Sequence, residues 1–270
     1  MKLVLLPGWH ESGDHMKTFV DGRRGHPAFA ALGYDCAIFA QGKDPLRPRI
    51  DRFANFLDEL KAQQPDAFPV VTVGYSAGGL INRGFLRAYP ERKDDIFATI
   101  QIGAPNAGLI VEYFAAALRL MRVPDEVIDD IDVESPFMAW LNGTGGHWVP
   151  TERKNKQRWV LDKPPIVVPE GSRILHLVGT IPKYQHESDG VVMAQWATLY
   201  GYVPSVFIDD RMANHLNLGA VFNWVAFLAR GFRMDDRVWR REVGIIDHYI
   251  KEQTAHESEP SRPAEARQSL

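Results

Sequence analysis

The chain has 270 residues, 45% of them apolar and 24% charged, and these proportions of an ordinary folded protein exclude a collagen, a mucin-like stalk and a disordered regulator. Lys and Arg are interspersed with Asp and Glu to a formal net charge of −3, so no broad positive field is available for a phosphate backbone and nucleic acid is not expected as a partner. A chain of this size buries roughly 70 to 75% of its unfolded surface and needs no staples; its single cysteine, Cys36, cannot form an internal disulfide and leans toward a reducing compartment.

The first apolar run, Leu3 to Leu6, stops at Pro7-Gly8, too short for the apolar region of a signal peptide, and reads as a strand. No run approaches the roughly 20 apolar residues of a membrane span, so a cytoplasmic location without integral membrane contact is expected. Further strands are expected at Tyr34 to Phe39, Val70 to Gly74, Ile96 to Ile102, Arg173 to Val178 and Pro204 to Ile208. Their apolar continuity is that of a parallel sheet covered on both faces, an α/β architecture. Between them Ile50, Phe53, Phe56, Leu57 and Leu60 share one helical face, a second helix runs from Ala77 to Tyr89, and a third begins near His215. The alternation is interrupted for about seventy residues after Gly103, far beyond the usual loop of roughly 2 to 6 residues, which marks an insertion. Leu109 to Arg122 reads there as an apolar helix, Asp125 to Val133 is acidic, and Gly143 to Trp148 reads as a mobile segment before the basic stretch Arg153 to Arg158. Lys251 to Leu270 has almost nothing to bury and is expected to be a disordered tail.

Chemistry concentrates at Gly74-Tyr75-Ser76-Ala77-Gly78-Gly79, between an apolar strand and a helix. A serine on such a turn has its hydroxyl lifted over the sheet edge, and the helix behind it favours negative charge on a reacting acyl oxygen. The bland alternative is an accidental Gly-x-Ser-x-Gly in a loop, which the flanking strand and helix argue against. Ser76 is therefore the candidate nucleophile, and it needs a base and an acid later in the chain. Of nine histidines, His215 follows the last strand at the mouth of a helix and is the candidate base, with His186 second. Asp189 in Ser188-Asp189-Gly190 is the candidate acid, with Glu187, Asp209 and Asp210 as rivals that could equally be solvated loop charges. The backbone N–H of Ala77 and that of Trp9, in the loop after the first strand, are the candidate oxyanion donors, and His10 either lines the site or solvates the loop. No His-x-x-x-His or cysteine cluster has metal-ligand spacing, and Gly143-Thr144-Gly145-Gly146 lacks the context of a phosphate loop, so neither a metal nor another cofactor is expected.

Together these residues resemble the α/β-hydrolases, in particular the lipase and esterase branch. The resemblance spans Leu3 to about Leu218 and rests on Leu6-Pro7-Gly8-Trp9-His10, the Ser76 turn, Gly103-Ala104-Pro105-Asn106, Ser188-Asp189-Gly190 and Asn214-His215-Leu216, with Ser135-Pro136-Phe137 and Leu141-Asn142 similar to a segment of some cap regions. It implies an α/β-hydrolase core at 1–104 and 172–250 with a cap at 105–171, and a sheet that begins at the family's third strand. It also implies substrate contacts from His10, Tyr75, Pro105 and Asn106. The expected activity is hydrolysis of a small-molecule or lipid carboxylic ester through a seryl acyl-enzyme. An acyltransferase, a thioesterase or an amidase would use the same triad, and a non-catalytic ligand-binding protein would not need one. The chain departs from the lipase pattern in having Pro7-Gly8 where His-Gly is usual.

Overall fold

The computed structural model describes residues 1–8, 13–42, 44–112, 118–119, 123–152, 155–181, 188, 192–210, 213, 218 and 236–258. Among these residues six strands form one parallel sheet: β1 (Lys2–Leu6), β2 (Asp35–Ile38), β3 (Val70–Tyr75), β4 (Ile96–Ile102), β7 (Ile174–Thr180) and β8 (Ser205–Asp209), in the order β2-β1-β3-β4-β7-β8. β1, β3, β4 and β7 are buried along their whole length, as continuous apolar runs require, whereas the edge strands β2 and β8 are only partly covered. The expected strands are found within two residues at each end.

Because side chains alternate across a strand, Val4 and Leu6 enter one core while Leu3 and Leu5 enter the other. The first core is closed by α2 (Leu46–Gln63), which buries Ile50, Phe53, Leu57 and Leu60, and by α3 (Ala77–Ala88). The second is closed by α1 (Lys17–Asp21), through Phe19, and by a long C-terminal helix at Asp236–Ser258, through Val238, Trp239, Val243, Ile246 and Ile250. That helix corrects the expectation of a disordered tail from Lys251: the chain is helical to Ser258, and 259–270 lie outside the described residues. Of the helix expected from His215, Leu218 is helical and the rest lies outside them.

The insertion contains α4 (Asp125–Asp130), α5 (Pro136–Asn142) and an antiparallel hairpin of β5 (Gly146–Pro150) and β6 (Gln157–Leu161). The hairpin corrects the reading of Gly143 to Trp148 as mobile. Gly143 is the left-handed residue that ends α5, and Trp148 packs edge-on to Trp159 across the hairpin at 5.3 Å. Ser135-Pro136 starts α5: the Ser135 hydroxyl accepts the Met138 N–H at 3.0 Å, and Pro136 takes the first helical position, where no N–H is needed. Of Leu109 to Arg122, Val111, Glu112, Leu118 and Arg119 are helical, and 113–117 and 120–122 lie outside the described residues. Leu109 is fixed by backbone bonds to Ile131 and Val133. A short helix, α6 (Ala194–Ala197), follows β7, and the C-terminal helix at Asp236–Ser258 is α7.

Among the described residues no helix is long and apolar enough to cross a membrane, and no group of three His, Cys, Asp or Glu side chains is placed to hold a metal.

Candidate active site

Strand order reverses direction between β1 and β3, and at such a switch point the loops leaving the carboxyl ends part to leave a crevice. Ser76 stands there. It leaves β3 with φ 50° and ψ −121°, a backbone conformation strained for any residue with a Cβ, and α3 begins at the next residue. Its N–H extends the ladder to the Ile102 carbonyl at 2.8 Å, and its carbonyl accepts the Gly79 N–H at 2.9 Å, so the strain is held from both sides. Two glycines make the turn possible. A Cβ on Gly74 would run into the Gly78 backbone, and one on Gly78 would run into the carbonyls of Leu6 and Pro7. The first turn of α3 therefore presses against the loop leaving β1. Gly8 in that loop is so close to the serine that a Cβ added to it would stand 3.4 Å from the Ser76 Cβ.

Ala77 follows Ser76 as the first residue of α3 and is buried. Tyr75, expected to touch substrate, is fully buried in the second core and meets the His15 ring edge-on at 5.7 Å. Pro105 is buried in the loop after β4. Trp9, His10, His186, Glu187, Asp189 and His215 lie outside the described residues. Their neighbours are at the carboxyl edge. The Ser188 carbonyl accepts the Ile181 N–H just beyond β7 at 3.1 Å, and Ala213 and Leu218 both abut Gly179. Asp209 ends β8 and accepts the Thr180 hydroxyl at 3.2 Å, and the Asp210 N–H donates to the Thr180 carbonyl.

Asn106 was expected to touch substrate. It is fully buried, and its amide is spent on the interior. Nδ2 donates to Gln101 Oε1 and the Ala197 carbonyl, both at 2.8 Å, and Oδ1 accepts from Arg83 Nη1 at 2.8 Å and Gln101 Nε2 at 3.1 Å. Beside it His176 on β7 is fully buried; Nε2 accepts the Ala104 N–H at 2.9 Å and Nδ1–H donates to the Ala197 carbonyl at 2.9 Å. That pattern requires the neutral ring, and desolvation holds its pKa down at about 3. Arg83 on α3 also reaches the Asn142 side chain and the carbonyls of Leu141 and Ile166 in the insertion. Burial pushes its pKa down to about 9. The Gly103-Ala104-Pro105-Asn106 segment is thus clamped from the interior by Arg83, Gln101 and His176. His176 and Arg83 were the missed residues, and the signal was there: one histidine inside an apolar strand run and one arginine inside a helix buried on all sides.

No protein-family model and no curated protein matches the chain. Solved structures do. A lipase of Bacillus licheniformis, BlEst2 in mature form, superposes with a TM-score of 0.58 at 15% identity, over 84% of this chain and 90% of that one. The metagenomic carboxyl esterase MGS0156 gives 0.59 at 16% identity, over 93% and 76%. The lin2722 gene product of Listeria innocua gives 0.52 at 13% identity, over 87% and 96%. With the parallel sheet, the strained serine between β3 and α3 and the insertion after β4, these likenesses identify the architecture: the chain has the α/β-hydrolase fold.

Proposed function

We propose that the chain is a serine hydrolase that cleaves carboxylic esters. The observation that carries this reading is the Ser76 backbone, held at φ 50° between a buried strand and a buried helix at the switch point of the sheet. Strain of this kind has no packing purpose and is retained where a side chain must be presented. Ser76 Oγ attacks the acyl carbon while His215 takes its proton, and Asp189 fixes the imidazole tautomer and stabilises the imidazolium. The oxyanion is met by the N–H groups of Ala77 and Trp9. His215 then gives the proton to the departing alkoxide as the ester C–O bond breaks, and water attacks the acyl-enzyme by the reverse proton path. The neighbours named as lipase and carboxyl esterase support an ester as substrate.

The test is covalent labelling with a fluorophosphonate, alongside hydrolysis of nitrophenyl esters from acetyl to palmitoyl. Ser76→Ala abolishes both on this reading. Hydrolysis that survives in a folded Ser76→Ala protein removes it, and the preferred acyl length separates an esterase from a lipase.

A further inference from the structure

Pro7, the residue that stands where lipases usually have histidine, contributes no N–H to fix the loop after β1, and its carbonyl lies past the end of that strand. A side chain from the far end of β2 supplies what the loop lacks. Gln41 is fully buried, and its Nε2 donates to the Pro7 carbonyl. Its Oε1 accepts from Arg49 Nη1 at 2.9 Å, which settles the orientation of the amide: the oxygen must face the guanidinium, so the NH2 group faces Pro7. Arg49 is itself fully buried on α2 and tied by Nε to the Asp44 carbonyl at 2.5 Å. The Gln41 carbonyl accepts from Arg52, so the backbone of the clamp is held as well as its side chain.

A trans peptide is planar, so fixing the Pro7 carbonyl fixes the Gly8 N–H on the opposite side of the same plane. The same carbonyl is pressed from behind by the first turn of α3 at Gly78, and Gly8 is the described residue of this loop that stands beside Ser76. We propose that Gln41, aligned by Arg49, is a positioning residue for acyl transfer: it fixes the Pro7–Gly8 peptide plane, and with it the Gly8 N–H, in the loop that stands beside Ser76 and leads on to the proposed oxyanion donor. The proposal rests on the serine hydrolase reading above. Preorganised donors stabilise a tetrahedral intermediate only if they need not turn to meet it, and misplacement by about 1 Å costs on the order of 10²-fold in rate.

Gln41→Glu is the sharp variant. It keeps the partner of Arg49 and the shape of the side chain, but sets an acceptor against the Pro7 carbonyl. Gln41→Met, similar in length and without a donor, is measured beside it so that neither variant's stability decides the result. In both, kcat falls by about 10- to 100-fold while KM stays within about threefold, because the ground state makes little use of the oxyanion donors. Affinity for a trifluoromethyl ketone, whose adduct with Ser76 carries the oxyanion, falls with kcat, and affinity for the product acid does not. Unchanged kcat in the folded variants overturns the proposal, as does an equal loss of affinity for ketone and acid, which marks general loosening. Wild-type protein that takes no fluorophosphonate label and hydrolyses no ester removes the hydrolase reading itself. A labelled wild type with unaffected variants removes only the role of Gln41.

Discussion

Arg83 and Asn142 are hydrogen-bonded across the boundary between α3, which carries the first turn behind Ser76, and α5 of the insertion. Among the described residues this buried guanidinium has no ion pair. It is compensated by amide and carbonyl oxygens, among them the Leu141 carbonyl in the last turn of α5, where the helix dipole favours a cation. Leu46 N–H at the start of α2 likewise meets Asp130 of α4 at 2.6 Å, and Arg47 lies over the Trp140 ring at 4.0 Å. The described part of the insertion is therefore bolted to α2 and α3.

Arg83→Met takes the donor from the buried Asn142 side-chain oxygen, and leaving a buried acceptor unsatisfied costs about 1 to 3 kcal/mol. Urea unfolding reports the loss, and limited proteolysis shows the insertion cut first. A variant within about 1 kcal/mol of wild type, with the insertion still protected, removes the clamp.

His176 gives the protein a specific acid sensitivity. Its pKa in the fold is about 3, below the ordinary value of 6.5, so the unfolded chain takes up this proton first and stability falls as pH drops through that window. Between pH 6.5 and 4.5 the loss assignable to this ring is about 2 to 3 kcal/mol. His176→Gln lowers stability at pH 7 but flattens the profile over that range. Parallel pH profiles for the two proteins would show that the ring titrates elsewhere.

Glu242 acts with the opposite sign. Both its carboxyl oxygens are buried without a hydrogen-bond partner among the described residues, and desolvation raises its pKa well above 4.5. Burial disfavours the charged form, so its penalty is absent below the ordinary pKa and grows as pH rises toward the folded one. Glu242→Met, which removes the carboxyl and keeps the volume, raises the melting temperature at pH 8 more than at pH 5. An equal effect at both values would show that burial of the charge is not the cause.

Ser76→Gly separates stability from activity at a single position. Glycine relieves a backbone strain of about 1 to 3 kcal/mol and gives back somewhat less than 1 kcal/mol in chain entropy. The inactive variant unfolds at a higher urea concentration than wild type by about 1 kcal/mol. Lower stability would mean that the Ser76 hydroxyl holds the turn rather than being presented by it.

The sheet was legible because a strand covered on both faces leaves no room for polar residues; β4 was expected and found at Ile96–Ile102. The hairpin at β5 and β6 was not, since it is half exposed and begins at a glycine that resembles a loop. α7 was hidden by its own chemistry: Glu242 stands on the face that carries Trp239, Val243 and Ile246, and breaks the apolar stripe by which a helix is recognised. The turn at Ser76 is written within six residues and could be read directly. Arg83 and His176 left a local trace, a polar side chain inside an apolar run, but their partners and those of Asn106 could not be read, because they stand as far as 91 positions away. The positions of Asp189, His215, Trp9 and His10 fall outside the described residues.

The backbone bonds from Leu109 to Ile131 and Val133 pin the entry of one stretch of the insertion to the strand-like segment that follows its exit through α4. Those bonds carry no side-chain information, but Leu118 and Val123 within the stretch are buried in the first core, so the sockets accept any insert that keeps these two positions apolar. Closing a loop grows only slowly more costly with length, roughly 0.6 kcal/mol for each doubling. On the proposed hydrolase reading, libraries that keep Leu118 and Val123 and vary the other positions there can be screened for altered ester preference, while the Arg83 junction keeps the rest of the insertion in register.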